Sequence, residues 1–151
     1  MRVSLFAKRA AVIGAATIAL ATALSGNANA LARDGEDPIA SGCAADARTV
    51  RSVPLTNGSA FTYGTMELRY SPYCRTTWAR VWSDGDDLFA RVVRDQGGYF
   101  QDCSTPTWNS GAGRYTCFTR MVNDAGFTSH AWGWASNSSG YASYTAQTAS
   151  Y

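Results

Sequence analysis

Two runs decide the fold class: Thr77-Trp78-Ala79-Arg80-Val81-Trp82-Ser83 and, after Asp84-Gly85-Asp86, Asp87-Leu88-Phe89-Ala90-Arg91-Val92-Val93-Arg94. Both are rich in β-branched and aromatic residues, and the Asp-Gly dipeptide between them predicts a β-hairpin. Side chains on a strand alternate between faces, so Ala79 and Val81 point one way and Trp78, Arg80 and Trp82 the other. Arginine between tryptophans on one face predicts guanidinium groups stacked over indole rings. Upstream, Met66, Leu68 and Tyr70 alternate in the same way with Glu67 and Arg69.

Outward from this pair, short β-prone runs recur at 49–53, 60–63, 65–71, 99–103, 114–122, 127–135 and 141–146. Between them stand turn-forming groups such as Asn57-Gly58, Gly97-Gly98, Gly111 to Gly113 and Asn137 to Gly140. No window keeps an uninterrupted helical period. Nine short strands in about 100 residues predict an all-β domain, a small antiparallel β-sandwich or barrel. Residues 49–151 make the single β-domain, and 31–48 an irregular lead-in rich in Asp, Gly and Pro.

The first 30 residues have the form of a cleaved signal peptide: Arg2, Lys8 and Arg9, an apolar run from Ala10 to Leu24, and a small-residue ending Ala28-Asn29-Ala30. Ala30-Leu31-Ala32 offers a second cleavage site. The run is short of the roughly 20 apolar residues that span a bilayer, and Lys8-Arg9 is not a twin arginine. The expectation is a secreted, extracellular monomer without a stable membrane anchor. The whole chain carries 13 Lys and Arg against 11 Asp and Glu, a net charge of +2. All the surplus lies in the signal: 13 − 3 leaves 10 Arg against 11 acids, or −1, and no lysine. That balance argues against a nucleic-acid partner, whose phosphates call for many cationic contacts.

Four cysteines, Cys43, Cys74, Cys103 and Cys117, suit disulfides in an exported chain. They allow three connectivities, of which the non-interlaced Cys43–Cys74 with Cys103–Cys117 is preferred. Their separations of 31, 29 and 14 lack the close pairs of a zinc site, so no metal and no cofactor are expected. The acidic Asp84 to Asp87 turn lacks the regular ligand spacing of a calcium loop.

Two blocks carry a family resemblance: Gly35 to Pro38 with Gly42-Cys43-Ala44-Ala45-Asp46-Ala47, then Glu67-Leu68-Arg69-Tyr70-Ser71-Pro72 with Cys74-Arg75 and Trp78-Ala79-Arg80. They resemble the YjfA-like domain of unknown function, found in secreted Gram-positive proteins and as an extra module on some helix-turn-helix regulators. The resemblance implies a compact β-domain and a Cys43–Cys74 bridge, and it brings no activity or catalytic residue. Many members of that family carry a further cysteine shortly before the Asp-Pro segment, whereas Leu31 to Glu36 has none here.

Candidate site residues remain to be weighed. His130, the only histidine, neighbours Ser129, but adjacent strand residues face opposite ways, so the pair is not a base and its nucleophile. Asp46, Glu67, Arg69, Arg75 and Arg80 are expected to form structural ion pairs. Beyond the signal, five Trp, eight Tyr and five Phe give 18 aromatics in 121 residues. Trp132 and Trp134 share one strand face and, with Tyr141 and Tyr144 in an uncharged polar segment, form the candidate binding surface. The sequence therefore predicts no enzyme but a non-catalytic β-domain binding an extracellular or cell-envelope ligand, a wall glycan or a protein. The alternative is a secreted inhibitor or antagonistic polypeptide that docks through the 104–113 loop; an uncharacterised hydrolase ranks third.

Overall fold

The computed structural model describes residues 33–58, 61–136 and 143–151. The predicted signal, Ala60 of the predicted 60–63 strand and the turn before the last strand lie outside them. Among the described residues, ten strands follow a short 3-10 turn, Cys43–Asp46. The first sheet holds β1 (Arg48–Leu55), β2 (Gly64–Ser71), β3 (Thr76–Ser83), β7 (Arg114–Phe118) and β6 (Thr107–Asn109), in that order, with β8 (Val122–Asn123) also on β3. The second holds β10 (Ser143–Gln147), β9 (Ser129–Ser136), β4 (Asp87–Arg94) and β5 (Phe100–Cys103). Every pairing is antiparallel, and the two sheets form a sandwich.

The core follows from the period of two. Met66, Leu68, Ala79 and Val81 of the first sheet meet Leu88, Ala90, Val92, Ala131 and Ala135 of the second. Both layers mix large and small side chains, the combination that lets two layers interlock at the packing density of a protein interior. Each fully buried Leu, Met or Val contributes about 1.5–3 kcal/mol. Gly133 marks a close approach of the sheets: a Cβ there would lie far inside contact distance of the Met66 thioether methyl and the Phe89 carbonyl.

The predicted hairpin at Asp84-Gly85 does not form. β3 is paired along its length by β2 on one edge and by β7 and β8 on the other, so it has no edge left for β4. The chain instead crosses to the second sheet. Gly85 is needed there for space and not for a hairpin's left-handed backbone: its φ is not positive, and a Cβ would lie 2.7 Å from the Ser136 carbonyl and against the Tyr63 hydroxyl.

Other departures are local. Residues 61–63 are not a strand. The predicted 114–122 strand breaks at Thr119, whose amide donates to the Ala79 carbonyl and whose hydroxyl accepts from the Ala79 amide. Met121 then leaves the ladder to exchange backbone hydrogen bonds with the lead-in, at Gly35 and Glu36. β6 lies in what the sequence marks as a plain loop.

The lead-in covers the outer face of the first sheet. Cys43, Cys74, Trp78 and Met121 form a second small core beneath it. Asp37 accepts from the Ile39 and Ala40 amides, and Asp34 pairs with Arg94 at 2.9 Å. Both disulfides join the non-interlaced pairs, Cys43–Cys74 and Cys103–Cys117.

Candidate functional site

Among the described residues, no lead-in covers the outer face of the second sheet. Strand register assembles it from four strands: Phe89 stands beside Trp134, Arg91 beside Trp132 and Val93 beside His130. Asp102 and Phe100 of β5 continue the face past Arg91 and Val93, and Thr145 and Gln147 of β10 extend it past Trp134 and Trp132. Phe89 stacks on Trp134 with centroids 6.3 Å apart and an angle of 14°, and meets Trp132 edge-on at 5.5 Å and 66°. Both tryptophans are half-buried, and Phe100 is 47% exposed.

Arg91 knits the aromatic residues together. It donates through Nε and Nη2 to the two oxygens of Asp102, at 2.6 and 2.8 Å, while lying 4.1 Å from the Phe100 ring centroid and 5.6 Å from that of Phe89. The Asp102 hydrogen bond raises its already high pKa. A shallow depression of about 320 Å³ opens between Arg91, His130, Trp132 and Gln147.

His130 closes one end of the face, its Nδ1 lying 2.6 Å from Asp95 Oδ1. Burial pushes the Asp95 carboxyl up, but hydrogen bonds from Thr128, His130 and Ser150 outweigh it and leave its pKa below the ordinary value. Ser129 points into the sandwich, where its hydroxyl is 2.7 Å from that of Thr77 and donates to Asp124 at 2.9 Å. Histidine and serine are thus on opposite faces, as strand alternation demands. Burial, reinforced by the Asp95 charge, raises the Asp124 pKa to about 6 against the Ser129 hydrogen bond and Arg75.

The residues singled out from sequence are not all brought together. Trp132 and Trp134 share the outer face, whereas Tyr144 does not join them. Its register partner is the inward Ala135, so it points into the core, 8% exposed and stacked on Tyr63 at 4.6 Å. Tyr141 lies outside the described residues. Of the five predicted ion-pair residues, only Glu67 and Arg80 pair with each other, at 2.6 Å, with the Arg80 guanidinium 4.9 Å from the Trp82 ring centroid. Asp46 instead accepts from the Ser71 hydroxyl and Tyr73 amide, which lowers its pKa, the Ser71 bond being the largest cause. Arg69 donates to the Thr49 hydroxyl and Ala47 carbonyl. Arg75 occupies a left-handed backbone position, φ 54°, where its carbonyl accepts from the Asp124 amide.

Phe89, Arg91, Phe100 and Asp102 escaped the sequence reading. The alternation of Phe89, Arg91 and Val93 with Leu88, Ala90 and Val92 was the available signal, but placing it beside Trp132 and Trp134 needs the β4–β9 register. Among the described residues, no group of three or more His, Cys, Asp or Glu gathers to hold a metal ion.

A family described as "Protein of unknown function (DUF2690)" matches residues 31–132. The chain belongs to this family. It is also similar to the uncharacterized protein YjfA of Bacillus subtilis (strain 168), 32% identical over 100 residues that cover 62% of this chain and 64% of YjfA. The chain thus spans just under two thirds of that relative's length. No solved structure matches. The DUF2690 match takes in all of β1 to β8 but stops at Trp132, so Trp134, Thr145 and Gln147 of the aromatic face lie beyond it.

Proposed function

We propose that this chain is an exported, non-catalytic binding domain whose outer second-sheet face holds a polysaccharide of the cell envelope or medium. The observation that carries the reading is the outward cluster of Phe89, Trp132 and Trp134, ringed by hydrogen-bonding groups of Arg91, Asp102, Thr145 and Gln147. Sugar rings stack their C–H faces on aromatic rings while their hydroxyls take polar groups at the rim. The 66° between Phe89 and Trp132 gives facets and not one plane, which favours a single glycan chain over a flat crystalline surface. Two disulfides and the signal-like residues 1–30 support export.

The test is retention on purified wall glycan, chitin and cellulose, with affinity electrophoresis in soluble glucans and xylans. The double substitution Trp132→Ala with Trp134→Ala should abolish retention while circular dichroism stays that of the parent. Absence of retention on every polymer refutes the glycan ligand.

A second reading has one observation of its own. Trp108 is 53% exposed on β6, inside the loop closed by Cys103–Cys117, as a protein-docking anchor would be. Inhibition of an extracellular protease that vanishes with Trp108→Ala favours this antagonist role.

A further inference from the structure

The first sheet also has a concave outer surface, of about 290 Å³ and on the opposite side from the aromatic face. Its floor is Arg69 of β2 with Trp78, Arg80 and Trp82 of β3. Pro38, Ile39 and Ala44 of the lead-in form one wall, and Asn109, Thr116 and Phe118 of β6 and β7 the other. Two segments fixed by different disulfides thus flank one floor: the lead-in by Cys43–Cys74 and the β6–β7 pair by Cys103–Cys117.

The lining has a definite chemical character. Indole, phenyl and aliphatic surfaces dominate it, and Ile39 is 64% exposed at its edge. Its two ionised groups are both guanidiniums; among the described residues no carboxylate lines it. Glu67 reaches Arg80 from beside the floor and offsets one of the two charges, leaving a net of one positive charge over an apolar bed. Volume, apolar walls and a few convergent polar groups are the attributes of a small-molecule site.

We propose that this hollow is a binding site for a small planar organic anion, an aromatic carboxylate whose ring lies between Ile39, Trp82 and Phe118 and whose carboxylate meets Arg69 and Arg80. Guanidinium and carboxylate match as charge-assisted hydrogen-bonding partners, and flat rings stack on indole. Burial and then the neighbouring Arg80 disfavour the Arg69 charge and lower its pKa, with Glu67 opposing. The hollow lies wholly within residues 31–132, unlike the aromatic face, so it belongs to the part of the chain that defines the family.

The experiment is a titration of the oxidised protein at pH 7 with 2-naphthoate and with its neutral counterpart 2-naphthamide, read by the indole N–H resonances of the five tryptophans. The naphthoate should shift Trp78 and Trp82 and leave Trp132 and Trp134 in place. The amide should bind about tenfold more weakly, the factor that one charge-assisted hydrogen bond supplies. Glu67→Gln should strengthen naphthoate binding severalfold, because it removes the competing carboxylate, and Arg69→Gln should weaken it about tenfold. Since Arg69 also anchors the lead-in through Ala47, Trp82→Leu is a second weakening variant that leaves that anchor intact. Equal affinity for acid and amide, shifts confined to Trp132 and Trp134, or no binding at millimolar probe overturns the proposal. None of these outcomes bears on glycan retention, which Trp132→Ala with Trp134→Ala tests separately.

Discussion

Replacing Asp124 by Asn should stabilise the protein near neutral pH and leave it unchanged in acid. Asp124 follows β8 and accepts a hydrogen bond from Ser129, which in turn touches Thr77 deep in the sandwich. Burial raises its pKa from 3.8 to about 6, so the folded protein holds this proton more tightly than the unfolded chain does. Between about pH 4 and 6 the folded state therefore binds more protons than the unfolded one, and stability falls as pH rises. Below about pH 4 the side chain is protonated in both states and there is no penalty; above about 6 the penalty is complete. A shift of this size corresponds to about 3 kcal/mol, and solvent screening of a partly exposed carboxylate reduces it to on the order of 1–2 kcal/mol. Asparagine keeps an oxygen to accept from Ser129 and carries no charge to desolvate. Urea denaturation at pH 3.0 and 7.5 should give the variant a margin of about 1–2 kcal/mol at the higher pH and almost none at the lower, a gain of roughly 3–8 °C in Tm near neutrality. The difference between the two pH profiles reports Asp124 together with its electrostatic coupling to Asp95. A variant less stable than the parent at pH 7.5, or a margin that does not change with pH, refutes the reasoning.

Three further outcomes follow from packing and covalent geometry. Gly133→Ala should destabilise by about 1–3 kcal/mol in thermal denaturation, because the new methyl meets the Phe89 carbonyl and the Met66 side chain of the opposite sheet. Joint replacement of Cys103 and Cys117 by Ser should cost roughly 3 kcal/mol on the chain-entropy account, measured by urea denaturation, since the bridge closes a loop with a sequence separation of 14. Asp102→Asn should change stability by less than about 1 kcal/mol, because its pair with Arg91 stands at the surface, yet it should weaken any glycan retention by loosening the guanidinium between Phe89 and Phe100.

The all-β class, most strand positions and the inward set Met66, Leu68, Ala79 and Val81 are legible because a strand's period of two is written in consecutive residues. The stacking of Arg80 over Trp82 is legible for the same reason: both stand on one face of one strand. Tyr144 departs from the predicted surface because it stands opposite Ala135 and not Trp134, and a one-residue difference in register moves a side chain to the other face. The turn at Asp84-Gly85 misled for a different reason. An Asp-Gly pair marks a change of direction, but whether the next strand folds back beside its predecessor depends on whether an edge is open. Here β7, more than 20 residues later, occupies it.

The sequence by itself determined the strand-forming runs, the preferred pairing of the cysteines and the aromatic surplus, all properties of composition and short-range spacing. Only the tertiary structure decided what the aromatics face. Trp132 and Trp134 stay on an outer surface because Gly133 between them is pressed against the opposite sheet, and Phe89, Arg91, Phe100 and Asp102 join them through hydrogen-bonded register. Likewise Arg69 and Arg80 share a hollow because a disulfide and the backbone hydrogen bonds of Met121 hold the lead-in against the outer face of their sheet. Such contacts join residues distant along the chain, and their geometry is set by which strand edges pair and which faces are covered.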